Sequence, residues 1–252
     1  MLSEDDLVRY SRQIVYPHFG KKGQEKLKAS HAVVVGVGGL GCAAALNLAC
    51  AGIGRISLVD DDVIELSNLN RQILHWEQDV GERKTISAMK KLNTINSALE
   101  IDAVCEKITE DNVYDIIKGA NVVINGLDDF ETRFVVNSAC VKRNVPFIHA
   151  GISGLLGQIT TIVPGKTPCL SCMYPDIPPA EDTIPVFGVT PAFMASLQVA
   201  EAIKLLAGFG ETLGGRMMYF DGETMETYYE DMIKDPNCIV CGSAGSRSQE
   251  NR

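Results

Sequence analysis

The chain has 252 residues, of which 46% are hydrophobic and 22% charged, which is typical of a globular protein with one substantial core or two modest ones. Its formal net charge of −9 argues against a general nucleic-acid binder, because phosphate backbones are held by dispersed Lys and Arg side chains. An acidic start over residues 1–6, with no apolar run of about 18 residues anywhere, argues against a secretion signal and a membrane span, so we expect a cytoplasmic protein.

Helix and strand patterns alternate along the first part of the chain. Residues 3–29 are of mixed charge and indicate helix, and residues 31–37 form a short apolar run that predicts a buried strand. A glycine-rich turn then leads into an Ala-rich helix that ends at Gly52. Further strands are predicted over 55–60, 100–105, 121–125 and 146–150, and further helices over 82–97, 110–118 and 130–143. Because parallel strands need crossover connections, this alternation predicts an α/β protein with a doubly wound, Rossmann-like, mostly parallel sheet.

The pattern changes beyond Gly151. Residues 158–163 predict another strand, and residues 217–220 and 225–229 predict a hairpin. Between them, residues 174–191 hold five of the ten prolines and predict a long loop that could act as a lid, followed by a mostly buried helix over 193–207. We therefore expect a helical segment over 1–30, a sheet part over 31–164, a C-terminal antiparallel lobe over 165–242 within the same domain, and a disordered tail over 243–252.

A glycine motif follows the first predicted strand. Gly36, Gly38, Gly39 and Gly41 lie between a strand and a helix, where glycines let the backbone approach a phosphate or ribose and helix N–H groups face the anion. Asp60, 19 residues past Gly41 and at a strand end, is placed to accept hydrogen bonds from a ribose. The alternative is that the glycines serve only helix packing. Residues 31–164 are thus predicted to bind a nucleotide, which these features alone do not identify as NAD or ATP.

Polar and charged side chains follow two of the predicted strands. Residues 67–72 (Ser-Asn-Leu-Asn-Arg-Gln) and 80–84 come after the second strand, and residues 126–129 (Gly-Leu-Asp-Asp) follow a later one. Doubly wound folds bind ligands at the carboxyl edge of the sheet, where these residues would gather. Hydride transfer has little use for cations along a triphosphate, whereas adenylylation needs them. Arg71 and Lys84 can offset phosphate charge while Asp128 holds Mg²⁺, so the sequence favours ATP.

Four of the eight cysteines form two short-spaced pairs. Cys169 with Cys172, and Cys238 with Cys241, supply the four thiolates of a closed tetrahedral Zn²⁺ site, which would staple distant parts of the C-terminal lobe. A redox dithiol and unrelated buried cysteines are the alternatives. The remaining cysteines lie in predicted helices or strands and are expected to be small core residues, and the four histidines receive no role. These remaining cysteines are Cys42, Cys50, Cys105 and Cys140.

From about Leu7 to Gly242 the sequence resembles the ThiF/MoeB/HesA family, the bacterial relatives of ubiquitin-activating enzymes. Each matching element is short, but their order and spacing together are specific. They are Arg9-Tyr-Ser-Arg-Gln13, Gly38-Gly-Leu-Gly41, Asp60-x-Asp62, Ser67-Asn-Leu-Asn-Arg-Gln72, Val80-Gly-x-x-Lys84, Asp128 and the two Cys-x-x-Cys pairs.

The resemblance implies an adenylyltransferase that uses ATP to activate the C-terminal carboxylate of a small ubiquitin-like sulfur-carrier protein ending in Gly-Gly. The carrier tail would lie under the loop over 174–191. The resemblance also implies a homodimer in which Arg12 reaches the partner subunit's phosphate site. The catalytic residues it implies are Arg12, Arg71, Lys84 and Asp128. The nucleotide contacts it implies are Gly38, Gly39, Gly41, Asp60, Asp62, Ser67, Asn68, Leu69, Asn70, Arg71, Gln72, Lys84, Asp128 and Asp129.

Several family members carry a further cysteine in the loop after the first Cys-x-x-Cys pair, where it takes part in sulfur chemistry. This chain has no cysteine between Cys172 and Cys238. We therefore expect it to adenylylate only and to depend on a separate sulfur donor.

Three other functions remain as alternatives. A nicotinamide-dependent oxidoreductase would explain the glycine motif and Asp60, but not Arg71, Lys84 or the cysteine pairs. A related dehydratase acting on a tRNA nucleoside is disfavoured by the four cysteines and the acidic charge. A non-catalytic zinc scaffold or carrier-binding adaptor would bind ATP without exchanging pyrophosphate.

Overall fold

A computed structural model describes residues 1–175 and 184–242. Its strands form one eight-stranded sheet, in which the first five pair in parallel and the last three continue the sheet antiparallel. They are β1 (His31–Val35), β2 (Arg55–Val59), β3 (Glu100–Val104), β4 (Val122–Asn125), β5 (Phe147–Ser153), β6 (Leu156–Ile162), β7 (Arg216–Asp221) and β8 (Glu226–Asp231). The strand order is β3-β2-β1-β4-β5-β6-β7-β8, which confirms the predicted mostly parallel, Rossmann-like sheet.

Helices cover both faces of the sheet. Alternate residues of β1 show how the two cores form, since Ala32 and Val34 face one core and Val33 and Val35 the other. The helices are α1 (Glu4–Arg9), α2 (Ser11–Ile14), α3 (Gly20–Lys28), α4 (Gly39–Ala51), α5 (Lys84–Ile95), α6 (Val113–Ile116), α7 (Phe130–Arg143), α8 (Leu170–Met173) and α9 (Val189–Ala207), and short 3₁₀ turns lie at Leu66–Asn68 and Glu77–Asp79. The first core includes α3, α4, α5 and α9, and the second includes α6, α7 and α8.

The N-terminal region differs from its prediction in detail. Residues 3–29 form three short helices, the first capped by Ser3, which shares a capping box with Asp6. The strand predicted over 31–37 ends at Val35, because Gly36 turns the chain away with a φ of +84°. The helix predicted over 110–118 is only the four-residue α6.

The helix α9 begins earlier than the sequence predicted. Its first residue is Val189, and Pro191 lies in its first turn, where a missing N–H breaks no helical hydrogen bond. With 19 residues, α9 is long and apolar enough to cross a membrane by length and composition alone. It packs against α4, β5 and β6, however, and buries Met194, Ala195 and Ala202 in the first core. We conclude that α9 is a core helix.

The predicted antiparallel lobe continues the parallel sheet. The strand predicted over 146–150 extends to Ser153 and pairs with β6, which in turn pairs with the predicted hairpin of β7 and β8. The two arms of this hairpin meet where Asp221 pairs with Glu226. Of the loop predicted over 174–191, residues 189–191 belong to α9 and residues 176–183 lie outside the described residues, as does the predicted tail over 243–252.

Candidate nucleotide and metal sites

The glycine motif lies at the carboxyl ends of β1 and β4. A Cβ on Gly41, in the first turn of α4, would collide with the carbonyl oxygen of Gly36. A Cβ on Gly126, just after β4, would lie 3.0 Å from the backbone of Gly41. Glycine is therefore required where these three segments meet. Their close packing places the N-terminus of the 13-residue α4, with its free N–H groups, at the sheet edge where it can bind an anion.

Asp60 and Lys84 lie next to this loop. The two oxygens of Asp60 accept the backbone N–H groups of Val37 (2.7 Å) and Asp62 (2.9 Å). Burial raises the pKa of Asp60, although the Lys84 ammonium and these N–H groups act in the opposite direction. Lys84 begins α5, is only 7% exposed and pairs with Asp62 at 2.7 Å between Nζ and Oδ2. The structure thus holds a buried ammonium group beside the predicted ribose ligand.

Electrostatics keep Lys84 charged. Burial alone would lower the pKa of Lys84, but the carboxylates of Asp60, Asp62 and Asp128 outweigh it and the pKa is raised. Asp128, which follows β4, is thus close enough to influence the pKa of Lys84, which follows β2. Lys84 is therefore a fixed positive charge at the carboxyl edge of the sheet, where phosphate binding was predicted.

Arg71 lies on the other side of the glycine motif. Its Cγ is 3.6 Å from the position that a Cβ on Gly39 would occupy. Its Nη1 donates to the carbonyl oxygen of Ser67 (2.9 Å) and to Oδ1 of Asn70 (3.0 Å). Gly188, just before α9, packs against the backbone of Asn70 and Arg71. Arg71 is therefore held half-buried between the glycine motif and the start of α9.

Asp128 and Asp129 differ in what their carboxylates do. Asp129 is the N-cap of α7, and its Oδ1 accepts the backbone N–H of Thr132 at 2.7 Å. Asp128 is exposed, and within residues 1–175 and 184–242 its carboxylate has no hydrogen bond or ion pair. The oxygens of Asp128 are thus the more available of the two for a hard cation such as Mg²⁺.

Arg133 was missed by the sequence interpretation. This arginine of α7 is 6% exposed, donates to the carbonyl oxygen of Leu127 from Nε (3.1 Å) and Nη2 (2.6 Å), and lies 4.8 Å from the ring centroid of Phe130. It fixes the backbone that leads into Asp128. The spacing of Phe130 and Arg133, three residues apart on one helix face, is the signal that could have revealed this pair.

The remaining predicted contacts lie in one loop after β2. Asn68 is buried, and its Oδ1 accepts the backbone N–H of Glu65 at 3.1 Å, whereas Ser67 and Asn70 are exposed. Leu69 is half-buried. Gln72 is 3% exposed, and its Nε2 lies 3.7 Å from where a Cβ on Gly38 would stand. This loop therefore lies beside the glycine motif. Buried Asn68 stabilises the shape of the loop, whereas exposed Ser67 and Asn70 could reach a ligand.

Arg12 lies far from its own chain's glycine motif. It belongs to the exposed helix α2, where neighbouring Gln13 donates to the carbonyl oxygen of Ala51 at 3.0 Å. Ala51 ends α4 and Gly39 begins it, which corresponds to about 18 Å along the helix at 1.5 Å per residue. Arg12 is therefore near the opposite end of α4 from the glycine motif of its own chain.

The two cysteine pairs meet in space. The four Sγ atoms of Cys169, Cys172, Cys238 and Cys241 all lie within 4.8 Å of one another. The separation is 3.7 Å between Cys169 and Cys238 and 3.3 Å between Cys172 and Cys241. Zn–S bonds of about 2.3 Å in a tetrahedron would place sulfurs ~3.8 Å apart, so this arrangement fits a four-thiolate metal site. It links the segment around α8 to the segment after β8.

The other cysteines follow their prediction only in part. Cys42 and Cys140 are fully buried in the two cores, as predicted, and burial raises the pKa of Cys42 to about 12. Cys50, on the last turn of α4, is exposed, and Cys105 is half-buried. The prediction that all four are core residues is therefore wrong for Cys50, because it lies on the face of α4 that points away from the sheet.

Fold and site together define an α/β protein of the nucleotide-binding type, with a buried Lys84, a half-buried Arg71 and an exposed Asp128 around a glycine loop. Comparison with known proteins identifies the family. The ThiF family matches residues 10–240, nearly the full chain, and the chain belongs to this family of ubiquitin-activating-type adenylyltransferases.

Characterised relatives match along nearly the whole chain. The SAMP-activating enzyme E1 of Haloferax volcanii is 38% identical over 99% of this chain and 94% of its own length. The sulfur carrier protein adenylyltransferase of Thermus thermophilus is 36% identical over 95% of this chain and 92% of its own length. The mouse adenylyltransferase and sulfurtransferase MOCS3 is 40% identical over 96% of this chain, which spans only 54% of that longer protein.

Solved structures share the fold. E. coli MccB crystallised with ATP superimposes with a TM-score of 0.83 at 29% identity, over 92% of this chain and 74% of the MccB chain. MccB crystallised with a MccA variant gives a TM-score of 0.85 at 29% identity.

Proposed function

We propose that this protein uses ATP to adenylylate the C-terminal carboxylate of a small ubiquitin-like sulfur-carrier protein ending in Gly-Gly, with release of pyrophosphate. The observation that carries the proposal is the buried Lys84 ammonium beside the glycine motif, held near Asp60 and Asp128. A carboxylate is a poor electrophile at neutral pH, and attack on the α-phosphate converts it into a mixed anhydride. The names of the relatives from Haloferax and Thermus support this substrate class.

Each side chain of the candidate site has a separate role in the proposed reaction. Asp60 would accept hydrogen bonds from the ribose, while Lys84, Arg71 and the N-terminus of α4 offset charge on the phosphates. Asp128 would hold Mg²⁺, which would supply positive charge to offset the phosphates when bound. The chain contributes positioning and charge stabilisation, and no covalent nucleophile is needed in this step.

Carrier-dependent exchange of labelled pyrophosphate into ATP tests the function directly. A panel of small Gly-Gly-ending proteins serves as substrates, and a carrier lacking its last glycine is the matched control. Exchange with one carrier and none with its truncated form is expected. ATP binding without exchange for any carrier would favour the non-catalytic adaptor, and tight NAD binding without ATP binding would favour the oxidoreductase.

We further propose that the enzyme is a homodimer located in the cytoplasm, with Arg12 completing the partner's site. Exposed apolar side chains lie near Arg12 and also near the candidate nucleotide site. Val8, Val15 and Tyr16 lie near Arg12, and Leu66, Ile73 and Trp76 lie near Arg71. Pairing these surfaces would bury both sets and bring a cation that is remote from its own site to a second one.

Mixed dimers of two inactive variants should recover activity. Arg12→Ala keeps Lys84, and Lys84→Met keeps Arg12, so a mixed dimer has one intact site if Arg12 acts across the interface. Random pairing makes half the dimers mixed, and about a quarter of wild-type exchange activity is expected from differently tagged, co-expressed chains. No recovery above the two single variants would show that Arg12 does not act in the partner's site.

Sulfur is proposed to come from a separate donor, since the chain has no cysteine between Cys172 and Cys238. A variant in which Cys42 and Cys140 become Ala, and Cys50 and Cys105 become Ser, should retain carrier-dependent pyrophosphate exchange within about threefold. Its melting temperature should fall, because two buried side chains are truncated. A folded variant with no exchange would contradict the proposal.

A further inference from the structure

A buried chain of polar side chains runs behind the glycine motif. His75, only 4% exposed, has its Nε2 3.1 Å from the carbonyl oxygen of Val37 and its Nδ1 3.2 Å from Oγ of Ser87 on α5. Lys91 donates from Nζ to the same Ser87 Oγ at 2.7 Å and forms an ion pair with Asp79. The chain therefore runs without a break from a buried ion pair to the backbone of the glycine motif.

The Val37 carbonyl oxygen fixes the direction of the hydrogen bonds. A carbonyl oxygen can only accept, so Nε2 of the neutral ring carries the imidazole proton and donates it to Val37. Nδ1 is then an acceptor and takes the Ser87 hydroxyl proton, while Ser87 Oγ accepts from the Lys91 ammonium group. Burial lowers the pKa of His75, which keeps the ring neutral and preserves this arrangement.

Val37 also holds Asp60 in place through its backbone. The backbone N–H of Val37 donates to Oδ2 of Asp60 at 2.7 Å, while its carbonyl oxygen accepts from His75. Val37 lies between Gly36 and Gly38, which permit backbone rotations that other residues resist. A hydrogen bond on the carbonyl side therefore limits rotation of a segment whose N–H group orients the carboxylate.

We propose that His75 is a positioning residue of the nucleotide site. As the neutral Nε2–H tautomer, it fixes Val37 so that Asp60 presents its oxygens to the ribose hydroxyls. This inference rests on the proposed function, in which Asp60 is the ribose ligand. His75 is only 4% exposed, so its effect should reach a bound nucleotide through Val37 and Asp60.

Calorimetry tests whether His75 acts through Asp60. The affinity of the full chain is measured for ATP and for 2′,3′-dideoxy-ATP, which lacks the ribose hydroxyls. His75→Asn leaves the Nε2 position empty, whereas His75→Gln places an amide N–H₂ there. His75→Asn should weaken ATP binding about tenfold, as expected for a misplaced charged hydrogen bond, and change dideoxy-ATP binding less than about twofold. His75→Gln should stay within about threefold for both nucleotides. Equal losses for both nucleotides in His75→Asn would overturn the proposal.

His31 provides the matched control. It is another buried histidine with a serine partner, at 2.8 Å from Nε2 to Ser57 Oγ, but it begins β1 at the opposite edge of the sheet. His31→Asn should lower the melting temperature without changing the ratio of ATP to dideoxy-ATP affinity. Should His75→Asn fail to fold, Ser87→Ala frees the ring and should lower that ratio by a smaller factor.

The outcomes separate this inference from the function on which it rests. If the wild-type chain binds ATP and the affinity ratio is unchanged in both His75→Asn and Ser87→Ala, the inference fails alone. If the wild-type chain binds neither nucleotide, the proposed function fails and the inference fails with it.

Discussion

Lys84→Met should lower carrier-dependent pyrophosphate exchange by about 10²–10³-fold, the usual loss when one fixed electrostatic group is removed from a reaction site. Lys84 is 7% exposed, and Asp60, Asp62 and Asp128 hold its pKa above the ordinary lysine value, so it enters the reaction as a charged group. Methionine preserves most of the length and packing of the side chain while removing the charge. Initial exchange rates at saturating ATP and carrier measure the effect.

Lys90→Met is the matched control for that substitution. Lys90 lies on the same helix, α5, and is paired with Glu82, but its side chain is 62% exposed. Exposed ion pairs contribute little, so Lys90→Met should leave both the exchange rate and the melting temperature near wild type. A loss below tenfold in folded Lys84→Met, or equal losses in the two variants, would show that Lys84 is not the phosphate-binding cation.

The elements that the sequence predicted well are those with local signals. The helix predicted over 130–143 matches α7 in full, because Asp129 caps its start and Asn144 ends it in the left-handed conformation. The start of α9 differs from its prediction because the prolines of residues 174–191 indicated a loop, although proline is accommodated in a helix's first turn. Hydrophobic periodicity and helix caps therefore located the helices. The error arose at proline, which is tolerated in the first turn of a helix but not in its interior.

The candidate site was predictable as a set of residues but not as a geometry. The resemblance to the ThiF/MoeB/HesA family named Arg71 and Lys84, which follow β2, and Asp128, which follows β4. These residues reach the same part of the sheet edge only because β1 alone lies between β2 and β4. Spacing did not distinguish Asp128, whose carboxylate is exposed, from Asp129, whose carboxylate caps α7. Nor could it show that His75, to which no role was assigned, contacts the glycine motif, since such contacts depend on packing between distant segments.

We expect the four-cysteine cluster to hold Zn²⁺, and we expect loss of this metal to lower stability strongly without removing the nucleotide site. Cys169 and Cys172 are 69 positions from their respective partners Cys238 and Cys241, so a bound metal would tie the α8 segment to the segment after β8. Cys238→Ser should reduce zinc content from one per chain to near zero. A stability loss of about 4–5 kcal/mol, at the upper end for single substitutions, would lower the melting temperature by roughly 10–20 °C in a chain of this size.

Cys50→Ser, an exposed cysteine outside the cluster, should leave both zinc content and melting temperature unchanged. Elemental analysis and thermal melts of the two variants measure this difference, and ATP binding distinguishes a structural from a catalytic metal. All four thiols are available as ligands, so a tetrahedral zinc would have no position left for a substrate, and ATP binding should persist in folded Cys238→Ser. Purified wild-type protein that contains no zinc, or zinc-loaded wild-type protein with the same melting temperature as Cys238→Ser, would exclude a structural zinc site.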